Sequence, residues 1–91
     1  MLPRTENIGS VVIESTGYIP GLNGRLNPIL DTFSRTYLYA DNIAIDSGKA
    51  QPVAFGVDAP FELEDANGKI VIAIVKHIRG QIALLQYTRC S

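Results

Sequence analysis

The chain has no tryptophan and only one cysteine, one histidine and one methionine among its 91 residues. A single cysteine excludes an internal disulfide, and one cysteine with one histidine cannot build a closed zinc site. A dominant charge is also missing: 8 Lys and Arg face 9 Asp and Glu, a formal net charge of -1. That balance argues against the basic footprint of proteins that hold nucleic acid by neutralising phosphates. Long apolar runs are absent, and the longest, Ile70 to Val75, is far too short to cross a bilayer. Met1-Leu2-Pro3-Arg4-Thr5-Glu6-Asn7 lacks the apolar stretch of a secretory signal. The expectation is therefore a protein that is not secreted, with no nucleic-acid or membrane partner and no metal or cofactor.

What is present is a 46% hydrophobic content, enough for one domain and too little chain for two. A domain of this size buries roughly 60–65% of its unfolded surface and is marginally stable alone. Small scaffolds without disulfides or metals often lean on a partner or on self-association. Residues 1–10 are polar, contain Pro3 and Gly9, and read as an extended N-terminal arm ahead of a single β-rich domain over 11–91.

The periodicity is that of strands. Val11-Val12-Ile13 is a β-branched run. Residues 16–28 are dense in Gly, Pro and Asn, so they read as an irregular loop whose leucines plug the core. The most helix this region allows is a short turn capped by Asn27 with Pro28 in its first position. From Arg35 the alternation is that of a half-buried strand, with Thr36, Leu38 and Ala40 on one face and Arg35, Tyr37 and Tyr39 on the other. Ile43 and Ile45 continue the pattern, and Val53, Phe55 and Val57 alternate with the small Ala54 and Gly56.

Two hairpins follow. Asn67-Gly68 is the strongest short hairpin signal, and a two-residue type I′ turn there sets Leu63 opposite Ile72 and Phe61 opposite Ile74. Glu62 and Glu64 would then share a face with Ala73, Val71, Val75 and His77. Ile70 to Val75 is apolar on both faces, which predicts a central strand or one covered on both sides. Arg79-Gly80 marks the second reversal, returning through Ile82, Leu84 and Leu85 as core candidates. With no unbroken helical pattern, the fold predicted is all-β, a small antiparallel sandwich or barrel of six or so strands.

Few groups point to chemistry. His77 and Cys90 form a nucleophilic dyad only if the last strand curls back. Glu62 and Glu64 project from one strand roughly 6.5–7 Å apart, a spacing usable by a general acid and base but also the ordinary way to wet an outer face. Gly17, Gly21 and Gly24 match neither phosphate-binding glycine pattern, and Asp41 to Gly48 lacks the ligand spacing of a calcium loop. Residues 69–91 carry Lys69, Lys76, Arg79 and Arg89 without an acid, whereas residues 1–68 carry a balance of -5. The most suggestive cluster is Arg35, Tyr37 and Tyr39 on one strand face, able to stack a ring or anchor a protein.

Asn27-Pro28-Ile29-Leu30-Asp31-Thr32-Phe33-Ser34-Arg35-Thr36-Tyr37-Leu38 resembles the segment that follows the extended arm in lambda-type head decoration proteins of tailed phages. The resemblance implies a non-enzymatic virion protein that trimerises on a capsid, stabilises it and contacts shell subunits through its arm. On that reading the expected function is a structural subunit, and the expected partner-contact residues are Leu2, Pro3, Arg4, Ile8, Tyr18, Arg35, Tyr37 and Tyr39. The partner would be a protein, with a homo-oligomer expected, in the virion or in the cytoplasm before assembly. The alternative is a free-standing β-sandwich that binds carbohydrate or protein through its tyrosine-rich face.

Overall fold

Alternating apolar residues give strands throughout the computed structural model, which describes residues 8–90. The elements are β1 (Ile8–Glu14), β2 (Arg25–Leu30), β3 (Thr36–Asp41), β4 (Ile43–Ile45), β5 (Val53–Ala54), β6 (Phe61–Asp65), β7 (Ile70–Arg79) and β8 (Ile82–Arg89). They form a five-stranded antiparallel sheet, ordered β1-β8-β7-β6-β4, and a three-stranded one, ordered β2-β3-β5. The fold is all-β, as the alternation predicts, and among the described residues there is no helix. One core joins the sheets: Leu26, Leu38 and Val53 of the smaller meet Ile13, Leu63, Val71, Val75 and Leu85 of the larger. The Phe55 and Phe61 rings pack 5.8 Å apart. Ile19 and Leu22, from the breaker-rich loop, are buried in the same core.

The β6–β7 hairpin departs from the expected turn. Its loop is Ala66-Asn67-Gly68, closed by the Asp65 N–H donating to the Lys69 carbonyl at 3.0 Å. Gly68 has φ of 81° and is the loop's one positive-φ residue, the geometry of a three-residue turn ending in a bulge. Asp65 selects it, because Oδ1 accepts the N–H groups of Asn67 and Lys69 at 2.9 and 3.0 Å. The extra loop residue shifts the register by one, so Leu63 faces Val71, and Glu62 and Glu64 face Ile72 and Ile70. A one-residue shift exchanges the faces of a strand. Val71, Ala73 and Val75 are therefore core, and Ile70, Ile72 and Ile74 point outward.

A second irregularity lies at Lys76, where the β7–β8 register slips between Val75 and His77. The Asp58 N–H donates to the Val75 carbonyl at 2.9 Å, and Lys76 Nζ reaches Asp58 Oδ1 at 2.8 Å, which accommodates the bulge. Bulge and shifted hairpin offset each other, so His77 stays on the glutamate face by a different route from the one expected. Leu85 is buried, whereas Ile82 and Leu84 are 50% and 39% exposed, correcting their placement in the core. Successive residues of a strand face opposite ways, so Leu84 and Leu85 cannot both be inside.

Three further expectations change. Ile8, Gly9 and Ser10 are not arm but open β1, paired with Thr88, Tyr87 and Gln86. Gly9 permits this because a Cβ there would collide with the Tyr87 hydroxyl. Leu2, Pro3 and Arg4 lie outside the described residues. Asn27 and Pro28 form strand rather than helix. Leu26 exchanges both backbone bonds with Gly17, away from β3, so Pro28, two residues on, turns its missing N–H outward as well. Finally β5 ends at Ala54, and a turn at Gly56 to Ala59 leaves Val57 exposed.

Candidate functional site

The β2–β3 register sets Arg25 opposite Asp41, Asn27 opposite Tyr39 and Ile29 opposite Tyr37. Leu26, Pro28 and Leu38 take the inner positions, so these six side chains occupy the outer face of the small sheet. A groove of about 260 Å³ opens beside Tyr39, lined also by Arg25, Asn27, Asp41, Gln51 and Thr16. Gln51 fixes its wall: Oε1 accepts the Ala40 N–H at 2.7 Å and Nε2 donates to the Ile43 carbonyl at 3.5 Å. Arg25 Nη2 lies 3.4 Å from Asp41 Oδ2, with both side chains more than half exposed. Such a pair is worth about 0–1 kcal/mol, so either partner can turn to a ligand at little cost. Tyr39, 42% exposed, offers a ring face.

At the other end, Arg35 lies 5.0 Å from the Phe33 ring centroid and 5.8 Å from that of Tyr37. Asp31 holds it there, Oδ2 accepting from Arg35 Nε at 2.9 Å while Oδ1 accepts the Phe33 and Arg35 amides at 2.8 and 2.9 Å. Burial works against ionisation of Asp31, but those amides and the guanidinium outweigh it and hold the carboxyl below its ordinary value. A second groove of about 310 Å³, lined by Arg35, Tyr37, Ala54 and Phe55, flanks this end. The face thus carries a tyrosine pair with an arginine at each end. It can stack a flat ring, accept hydroxyl protons at Asp41, and receive an anion at Arg25 or Arg35.

Of the residues singled out from sequence, Arg35, Tyr37 and Tyr39 come together on this face. Tyr18, 60% exposed, does not line the groove, and Ile8 sits on the opposite sheet. Arg25, Asn27, Asp41 and Gln51 were not anticipated. Their signal was the alternation of Arg25, Asn27 and Ile29 with Leu26, Pro28 and Leu30, hidden by a proline that an edge strand tolerates. His77 and Cys90 are not brought together. The Cys90 N–H donates to the Ile70 carbonyl at 2.9 Å, at the other end of β7 from His77, roughly 20 Å away along the strand. Glu62 and Glu64 lie on the outer face of the large sheet. Among the described residues no three His, Cys, Asp or Glu gather as a metal site.

The fold and face describe a small two-sheet β unit with an aromatic and polar groove. No family model matches the chain, and no solved structure does. The chain is similar to the 3' cyclic ADP-D-ribose synthase AaTIR of Aquimarina amphilecti, 40% identical over 88 residues. That covers 97% of this chain but 27% of the synthase, so the chain spans about a quarter of the length of the curated relative it matches. The similarity overturns the phage-decoration reading, with its virion and capsid assignments, and nothing points to a shell protein. It also overturns the expectation of a non-enzymatic subunit or free-standing module, since the named relative is an enzyme. Residues 27–38, which carried the resemblance, form the β2–β3 hairpin, whose Asp31, Ser34 and Arg35 serve its loop: Asp31 accepts the loop amides and Ser34 takes a φ of 62°. Those residue types are dictated by turn chemistry and recur in unrelated hairpins.

Proposed function

We propose that this chain is a β unit of an enzyme that forms a cyclic ADP-ribose isomer, and that it holds the nucleotide on the Tyr37–Tyr39 face. The observation that carries the reading is 40% identity over 97% of the chain to a 3' cyclic ADP-D-ribose synthase. Cyclising an ADP-ribosyl donor joins two parts of one molecule. A leaving group departs from the anomeric carbon with its electron pair, a hydroxyl oxygen of the same nucleotide takes its place, and that hydroxyl loses its proton. The protein must hold both parts at once. The groove beside Tyr39 fits such a ligand: Tyr39 for the adenine ring, Asp41 and Asn27 for ribose hydroxyls, and Arg25 for the diphosphate. Groups that protonate or deprotonate the reacting atoms are expected from the remaining three quarters of a synthase of this kind.

The test has two arms. ADP-ribose is titrated into the chain while tyrosine ring resonances are followed by NMR, and the protein as its gene encodes it is incubated with NAD⁺ and the products are separated by mass. Saturable binding that shifts Tyr37 and Tyr39, with a cyclised product from the encoded protein, is the expected result. A folded protein that neither binds ADP-ribose nor yields a cyclised product would overturn the reading.

A further inference from the structure

The outer face of the large sheet carries an aliphatic patch. Val12 lies opposite Leu84, Ile8 opposite Thr88 and Glu14 opposite Ile82 on the β1–β8 pair. Ile72 and Ile74 continue it onto β7, beside Thr88 and Gln86. Ile8, Val12, Ile82 and Leu84 are between 39% and 58% exposed. The three-residue hairpin loop is what turns Ile72 and Ile74 outward, so β7 is apolar on both faces and the described residues cover only one. An exposed aliphatic face of this kind, crossed by Ser10, Gln86 and Thr88, marks an interaction surface.

Its charges are sorted along the strands. Glu62 and Glu64 of β6 adjoin Ile72 and Ile70 at one end. His77 and Arg79 adjoin Leu84 and Ile82 at the other. Along β6 and β7 the patch is acidic at one end and carries Arg79 and His77 at the other, with Glu14 two strands away on β1, and this half complements a copy of itself turned end for end. With a two-fold axis in the interface and perpendicular to the strands, the row of Val12 and Leu84 comes over the partner's row of Ile8, Thr88 and Ile72. Glu62 and Glu64 then face the partner's His77 and Arg79 across the interface, offset sideways by about one strand spacing, ~5 Å, a gap their long side chains can bridge.

We propose that this face binds a second copy of the chain, the two large sheets packing face to face with their strands antiparallel. From Ile70 to Arg79 along β7, and from β1 to β6 across, the patch spans roughly 30 Å by 14 Å. With side-chain relief two copies would bury about 1,000 Å², near the lower limit for a specific interface, which fits a dimer of micromolar affinity. The inference does not depend on the nucleotide reading, since the two sites lie on different sheets.

The test is solution mass by light scattering and sedimentation over a dilution series, with variants that swap the charges. The wild-type chain is expected to pass from monomer to dimer in the micromolar range. Val12→Glu with Leu84→Glu, both at exposed positions, should leave the circular dichroism of dilute protein unchanged and weaken dimerisation at least about a hundredfold. Glu62→Lys with Glu64→Lys leaves the β6–β7 half without an acidic end, and His77→Glu with Arg79→Glu leaves it without a basic one. Each double variant alone should be monomeric, and a mixture of the two should recover the dimer mass. A wild-type chain that stays monomeric at about 100 μM, or a dimer indifferent to the Val12 and Leu84 changes, overturns the proposal. So do charge variants that self-associate as well as the wild type, or a mixture that gains nothing.

Discussion

The Asp65 carboxylate accepts the backbone N–H of Asn23, 42 positions earlier in the chain, at 2.9 Å. That bond ties the breaker-rich loop carrying Ile19 and Leu22 into the core to the hairpin that sets the β6–β7 register. Asp65 is buried, and the Asn23 amide is the main cause holding its carboxyl below the ordinary value of 3.8, with the Lys69 and Asn67 amides adding to it against desolvation. A carboxyl more acidic in the folded state contributes stability that is present above its unfolded pKa and lost as pH falls through the folded one. Urea unfolding should therefore show midpoints that decline from about pH 4 downward. Asp65→Asn should lower the midpoint at neutral pH and flatten that decline, leaving the part that Asp31 supplies. An unchanged acid limb in the variant would remove Asp65 from this role.

Leu84 and Leu85 are adjacent and chemically identical, yet one is 39% exposed and the other fully buried. Leu85→Ala should cost about 2–5 kcal/mol, lowering the melting midpoint by about 10 °C or more in a domain of this size. Leu84→Ala, measured in dilute protein, should stay within about 0.5 kcal/mol of wild type. Reversed costs would mean that β8 faces the other way. They would also put the Val12–Leu84 patch in the core.

The proposed hold of the Tyr39 groove on ADP-ribose can be tested by separating stacking from charge. Tyr39→Ala should weaken ADP-ribose binding about 10- to 100-fold, the worth of one stacked base, with its dependence on salt unchanged. Arg25→Ala should weaken binding by less and reduce the salt dependence, because a charge on the phosphates is lost. Calorimetric titration at two salt concentrations distinguishes them. Equal salt dependence in both variants would place Arg25 away from the phosphates.

The strand residues and the all-β class were legible because period-two alternation survives in Thr36–Ala40, Phe61–Asp65 and the β8 segment. The faces of β7 were misread from Ile70 to Val75, where a single residue alters the count. Asn67-Gly68 reads as a two-residue turn until Asp65 is seen to hold a three-residue one, and nothing local to β7 announces the bulge at Lys76, which is accommodated by Asp58 from another segment. Pro28 hid β2 because an interior proline argues against a strand, and the argument lapses only at an edge. Of the groove, Tyr37, Tyr39 and Arg35 lie close in sequence and were visible together. Arg25, Asn27 and Gln51 join them only through pairing between strands, which a linear pattern does not carry.

Gly24 ties the fold to the groove. Its φ of 153° is open to glycine, and a Cβ there would lie 2.5 Å from the Asp41 carbonyl oxygen and 2.5 Å from the Ile43 side chain. Backbone at such a distance cannot step aside as a flexible side chain can, so the β2 entry or the end of β3 must move. Gly24→Ala should therefore cost about 1–3 kcal/mol. It should also weaken ADP-ribose binding, because Asp41 and Arg25 form the groove on either side of the displaced backbone. Gly48→Ala is the control: its φ is 90°, but a Cβ there meets nothing within 4 Å. That change carries the left-handed backbone penalty alone, about 1 kcal/mol, and should leave binding intact. If the two variants proved equal in both stability and affinity, close packing at Gly24 would not be what shapes the groove.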